Sequence, residues 1–169
     1  MDADSREALW RQFGAAIDML DNAIAACPEE LWYDGSRSVE PWYLAYHTLF
    51  YLDLYLSPGL DGFAPPPPFT LDELEADVLP ERPYTQAEIR AYLEHGRRKC
   101  RETIAALTAE EARRPSGFDW LPMPRLEVHL YSLRHVQHGA GQLNLMLRQA
   151  VDAAPRWVKR TAKPLGAEG

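Results

Sequence analysis

Apolar side chains recur along the chain at three- and four-residue spacing in four long stretches, a period that predicts helices rather than strands. The first covers about Ser5 to Ala26, where Leu9, Phe13, Ala16, Ile17, Leu20, Ala23 and Ile24 share one face and Ser5 is a candidate N-cap. Pro28 ends it, and the residues through Ser38 read as a loop. A second helix is predicted from Pro41 to about Leu56, because proline suits a first turn whose N–H groups have no intrahelical partner. Ser57-Pro58-Gly59 stops it. Thr85, with Glu88 three residues on, is a capping box that opens a third helix. Ile89, Tyr92, Leu93, Cys100, Ile104 and Leu107 form its apolar face, and Pro115 and Gly117 close the neighbourhood. The fourth helix is predicted from Pro124 or Arg125 to about Val151, with Leu126, Leu130, Leu133, Val136, Ala140, Leu143 and Leu147 as its core stripe.

Between the second and third helices the pattern breaks. Seven of the 14 prolines fall between Pro58 and Pro83, including the run Pro65 to Pro68, so this segment should run extended over a surface. Its length suits a crossover in a bundle better than a tight turn. The expected fold is an all-α four-helix bundle over residues 1–154, with a long Pro-rich crossover between the second and third helices. Residues 155–169 follow as a C-terminal surface tail.

Composition narrows the function classes. With 46% hydrophobic residues and a net charge of -7, the 169-residue chain has the make-up of one ordinary globular domain, not of a disordered segment. The longest apolar run, Leu44 to Leu56, is broken by His47, Thr48 and Asp53, so no membrane span is expected. Met1 to Ser5 carry acidic side chains and no apolar stretch, and a cytoplasmic location is expected. Cys27 and Cys100 are too few for a disulfide framework and read as reduced thiols. Residues 1–89 hold 4 basic and 17 acidic side chains, residues 90–169 hold 14 and 8. The basic residues of the second half are interleaved with acids or gathered in the tail, without an aromatic-and-basic stripe, so no nucleic-acid partner is expected.

Three of the five histidines are candidates for chemistry. His47 lies in the most apolar helix among Trp42, Tyr43, Tyr46, Phe50 and Tyr51. His135 and His138 sit three residues apart on the fourth helix, and with Tyr131 and Gln142 they fall within about 60° of one another around its axis. Should the second helix pack alongside, three imidazoles would share one place, a donor set that zinc or nickel accepts with a position left open. The plain alternative is a core histidine beside a partly exposed pair. Tyr46 and Tyr131 are candidates for orienting a ligand, and Gln142 for holding a histidine's second nitrogen, each against ordinary packing. Glu127 and Asp53 read as solvated helix surface.

The segments Pro41-Trp42-Tyr43-Leu44-Ala45-Tyr46-His47-Thr48-Leu49-Phe50 and Leu133-Arg134-His135-Val136-Gln137-His138-Gly139-Ala140-Gly141-Gln142-Leu143-Asn144 resemble the second and last helices of the DinB-like (DinB/YfiT) metalloenzyme family. The resemblance implies an up-down-down-up bundle, frequently a homodimer. It also implies a divalent-metal site with one histidine from the second helix and two, at i and i+4, from the last. Carried onto this chain, the ligands are His47 and His135, but the third position is Gly139, with His138 beside it. Three outcomes stay open: His138 replaces the missing ligand, water fills the vacancy, or the ion is lost. The resemblance further implies an enzyme that uses the ion to activate a low-molecular-weight thiol or water for transfer or hydrolysis. The alternative is a non-catalytic dimeric binding scaffold, which the ring-rich second helix would suit.

Overall fold

The computed structural model describes residues 1–76 and 78–166. Four long helices carry the fold and two short ones join them: α1 (Ala3–Ala26), α2 (Glu29–Trp32), α3 (Pro41–Tyr55), α4 (Gln86–Ala106), α5 (Ala109–Arg113) and α6 (Arg125–Val151). Among the described residues there is no strand, and no helix is long and apolar enough to cross a membrane. The cap of α1 is Asp2, whose carboxylate accepts from the Ser5 N–H and hydroxyl, so Ser5 is capped rather than capping. Thr85 and Glu88 form the expected reciprocal box at the start of α4. The stretch expected to be loop contains α2, a single turn that drives Trp32 into the core and lets its indole donate to the Tyr84 carbonyl at 2.9 Å. One turn is too short to show a period, which is why the pattern hides it.

Helix α1 packs on α4 and α6, and α3 packs on the same two, so the four helices stand at the corners of a square. Their directions follow from the pairs in contact. Gln86 bonds the Ile24 carbonyl and Arg90 pairs with Asp21, so α4 runs against α1. Tyr46 meets Tyr84, Asp53 accepts from Tyr92 and Ser57 accepts from Lys99, so α3 and α4 run together. Tyr55 meets Tyr131 and Tyr51 meets His135, so α6 runs against α3. The result is an up-down-down-up bundle. Parallel neighbours begin at the same end, so the chain leaving α3 must travel back about 22 Å before α4 begins. The Pro-rich segment makes that return and places Phe69 in the core against Tyr46, Tyr84 and Tyr92.

The core contains Trp10, Phe13, Ile17 and Leu20 from α1, Tyr46 and Phe50 from α3, and Tyr92 from α4, all fully buried. Trp42 and Tyr55 are buried as well, and Tyr43 and Tyr51 are half-buried. The rings of α3 are thus used within one chain, which removes the argument from ring number to a dimer face. On α6 the buried face begins with Val128, His129 and Ser132, whereas Leu130, expected in the core, is exposed. Cys27 and Cys100 are free and buried. The tail after Pro155 docks: the Thr161 N–H donates to the Arg11 carbonyl at 3.0 Å, the Trp10 indole donates to the Lys163 carbonyl at 2.9 Å, and Thr161 is buried against Gly14.

Asp53 overturns the surface expectation. It is fully buried, and its carboxylate accepts from Lys99 at 2.5 Å and from the Tyr92 hydroxyl at 3.1 Å, with His95 at 3.4 Å. Lys99 also donates to the Asp53 carbonyl and the Ser57 hydroxyl, closing the network between α3 and α4. A carboxylate inside a run of leucines and rings is tolerated only because these donors replace its water.

Candidate functional site

The seam between α3 and α6 holds the candidate residues. Because the helices are antiparallel, residues meet in rungs: Tyr55 with Tyr131, Tyr51 with His135, His47 with His135, and Thr48 with Gly139. The His47 and His135 rings stand 5.3 Å apart between centroids, tilted by 58°. Two of the three imidazoles that the sequence singled out are therefore neighbours.

The rung at Gly139 explains the departure from the expected ligand pattern. A Cβ at 139 would lie 2.9 Å from the Thr48 methyl carbon and 3.1 Å from its Cβ, and closer still to its hydroxyl oxygen. That hydroxyl is fixed by donation to the Leu44 carbonyl at 2.7 Å, so it cannot swing aside without giving up its bond. Position 139 is a close helix contact, and its glycine has a packing reason. His138, one residue earlier, is exposed and lines a cleft with His47 and His135 without a ring contact to either. Among the described residues no group of three or more His, Cys, Asp or Glu side chains is arranged to hold a metal ion.

A third member of the site comes from the crossover. Asp72–Leu74 form one turn of 3₁₀ helix, and from it Glu73 reaches His47 through a contact between Oε1 and Nδ1. A carboxylate accepts, so the contact places a proton on Nδ1, and in the neutral tautomer Nε2 is the nitrogen with the free lone pair. Tyr43 donates to the same carboxylate oxygen and Tyr51 to the Glu73 carbonyl, each at 3.4 Å. The Glu73 side chain is only 4% exposed, and its second oxygen has no partner. No periodic signal marks Glu73, because it belongs to an irregular segment; the pairing of an acidic turn with a helix histidine exists only in three dimensions.

His135 has Nε2 buried without a partner. Burial, and then the neighbouring His47 and His138, push its pKa down to about 4, so its ring is neutral at pH 7. Burial also raises the Tyr43 and Tyr55 hydroxyls to about 12, and both stay protonated donors. Tyr46, a candidate for orienting a ligand, is buried in the core with its hydroxyl on the Thr70 carbonyl. Gln142 lines the cleft beside His138 and, among the described residues, bonds no histidine.

The imidazole pair separates two clefts along the seam. The larger, about 490 Å³, is lined by His47, Tyr51, Tyr55, Leu60, Leu74, Trp120, Tyr131 and His135. The smaller, about 320 Å³, opens on the other side among Val39, Tyr43, Leu44, Thr48, His138, Gly139 and Gln142. Both volumes suit a small molecule. Comparison with known proteins finds no matching family model, no matching curated protein and no matching solved structure.

Proposed function

We propose that this chain is a small-molecule enzyme of the DinB-like kind, working at the His47–His135 pair with a divalent ion such as zinc or nickel. The single observation that carries the reading is the Glu73–His47 contact beside the His135 ring. A carboxylate on the distal nitrogen of an imidazole is how proteins fix the tautomer and aim of a metal-binding histidine. The residues fit such an ion as a two-nitrogen set. In its neutral Nδ1–H tautomer His47 would offer Nε2, Nε2 of His135 is buried and unpartnered, and water and substrate would have to fill the positions that a three-ligand site gives to protein. When bound, the ion supplies Lewis acidity that lowers the pKa of a thiol or water.

The chain's own residues prepare that site. Glu73 holds the His47 proton on Nδ1, burial keeps His135 neutral, and the Tyr51 hydroxyl is tied to the Glu73 backbone so that its ring walls the larger cleft. Clefts on both sides of the imidazoles give two molecules access, which favours group transfer over hydrolysis. The competing reading, a binding scaffold without an ion, draws on Gly139 in the third-ligand position. Metal analysis and calorimetry on tag-free protein with zinc, nickel or cobalt separate the two. One ion per chain that is lost in both His47→Ala and His135→Ala supports the enzyme. No uptake at any of the three metals overturns it.

A further inference from the structure

The larger cleft has walls of an unusual kind. Tyr51 and Tyr55 come from α3, Tyr131 from α6 and Trp120 from the connection between α5 and α6, with Leu60 and Leu74 from the crossover completing it. Among the described residues no lysine, arginine, aspartate or glutamate lines it, so no ammonium, guanidinium or carboxylate is there to pair with a charged group. The polar functions its lining residues carry are the two imidazoles, the hydroxyls of the three tyrosines and the Trp120 indole N–H. At its mouth the large apolar groups are left to water: Trp120 is 49% exposed, Leu60 40% and Tyr131 38%.

The exposed indole is held in place rather than loose. Phe118 is buried and packs edge-on against Tyr55 at 5.4 Å, and Trp120 lies 5.4 Å from Phe118. The loop is closed by the Arg125 N–H on the Arg114 carbonyl at 2.9 Å and the Ser116 N–H on the Met123 carbonyl at 3.0 Å. It is also seated on the start of the crossover, where a Cβ at Gly117 would fall 2.8 Å from the Gly59 Cα. A segment pinned at both its base and its side keeps a half-wet tryptophan in the lining it shares with three tyrosines. Preorganised rings of this kind lose little freedom on binding, so covering them is favourable.

We propose that this cleft binds an uncharged, flat aromatic molecule, gripped by the tyrosine and tryptophan rings and stopped at the His47–His135 pair. The ring arrangement selects a plate. Tyr55 meets Tyr131 at 71° and Tyr51 meets His135 at 76°, while Tyr51 and Tyr55 are tilted by 36°, so the walls present both ring faces and ring edges on which another ring can pack offset or edge-on. A compact cation is best held by several faces turned to one point, and an anion needs a positive partner that the lining lacks. The proposal rests on the reading of the imidazole pair as the reacting end of the cleft, but the binding it describes is measurable without the ion.

The test is calorimetry on the full chain with 2-naphthol, naphthalene-2-sulfonate and tetramethylammonium, in EDTA and again after zinc loading. Saturable binding of one 2-naphthol per chain in EDTA is expected, weakened about tenfold by the sulfonate group and about tenfold in Trp120→Ala and Tyr131→Ala. Trp120→Phe should recover much of the loss. Circular dichroism melts identify any variant that unfolds, and chemical-shift mapping of 2-naphthol onto the Trp120 indole N–H in the unaltered chain reads the same contact. No saturable 2-naphthol binding, binding indifferent to both alanine variants, or tighter binding of tetramethylammonium overturns the proposal. Naphthol binding with no uptake of zinc, nickel or cobalt leaves this cleft assignment standing and overturns the metal reading; metal uptake without naphthol binding does the reverse.

Discussion

Thr48 and Gly139 meet at a close approach of α3 and α6: a β-carbon at residue 139 would sit 2.9 Å from the Thr48 methyl carbon. Side chains at this rung are therefore limited by the neighbouring helix and not by the chemistry of the clefts on either side.

Adding a side chain at 139 should destabilise the fold. Gly139→Ala removes the conformational cost of a helical glycine, about 1 kcal/mol, but forces overpacking of about 1–3 kcal/mol. A net loss is expected in urea melts, and Thr48→Ala in the same chain should recover most of it, as coupled contacts do. Gly139→His should lose more stability and gain no affinity for zinc, because its ring has no room to turn toward His47. A gain in both would show that the seam opens easily.

Glu73→Gln should free the His47 tautomer while leaving the fold intact. In ¹⁵N spectra of the imidazoles, the unaltered chain is expected to show His47 protonated on Nδ1, and the variant a mixture. If the chain takes up zinc, the same substitution should weaken it about 10–100-fold, the usual effect of losing such a partner. An unchanged His47 spectrum would mean that the carboxylate does not set the tautomer.

Acid should destabilise the chain through His129. It is buried, neither ring nitrogen has a partner, and burial followed by the Arg125 charge pushes its pKa from 6.5 down to about 4. The unfolded chain binds a proton at this residue below about pH 6.5 while the folded one resists until about pH 4. Stability is therefore whole above that window and falls as pH drops through it, by about 3 kcal/mol from this residue. His129→Leu should flatten the pH dependence of the urea midpoint between pH 6.5 and 4. A slope equal to that of the unaltered chain would place the acid sensitivity elsewhere.

Lys99→Met should cost about 3 kcal/mol, because it leaves Asp53 buried without its main counter-charge. Replacing both residues, as Asp53→Leu with Lys99→Met, should cost less than the single change, since no charge is then stranded. Equal losses in the single and double variants would mean that the network acts through packing alone.

Much of the architecture was legible before any coordinates. The periods of α1, α3, α4 and α6, the Thr85–Glu88 box and the proline-dense return all follow from local rules, each involving residues a few positions apart. His47 and His135 were legible as candidates because helical spacing places each on a face, and the resemblance pointed to the same pair. The misses have a common cause. Asp53 reads as solvated until Lys99, Tyr92 and His95 are seen around it, and Leu130 reads as core until the rotation of α6 puts His129 inward instead.

What the amino-acid order determined by itself was therefore the set of helices, their apolar faces and the length of the crossover, because hydrogen bonding and side-chain burial within a helix repeat every few residues. Tertiary structure alone decided that Glu73 would reach His47, that Gly139 would lie against Thr48, and that Trp120 would line one cleft with three tyrosines. Each of these joins residues from different segments, where no period links them and only the packing of one element on another sets the distance.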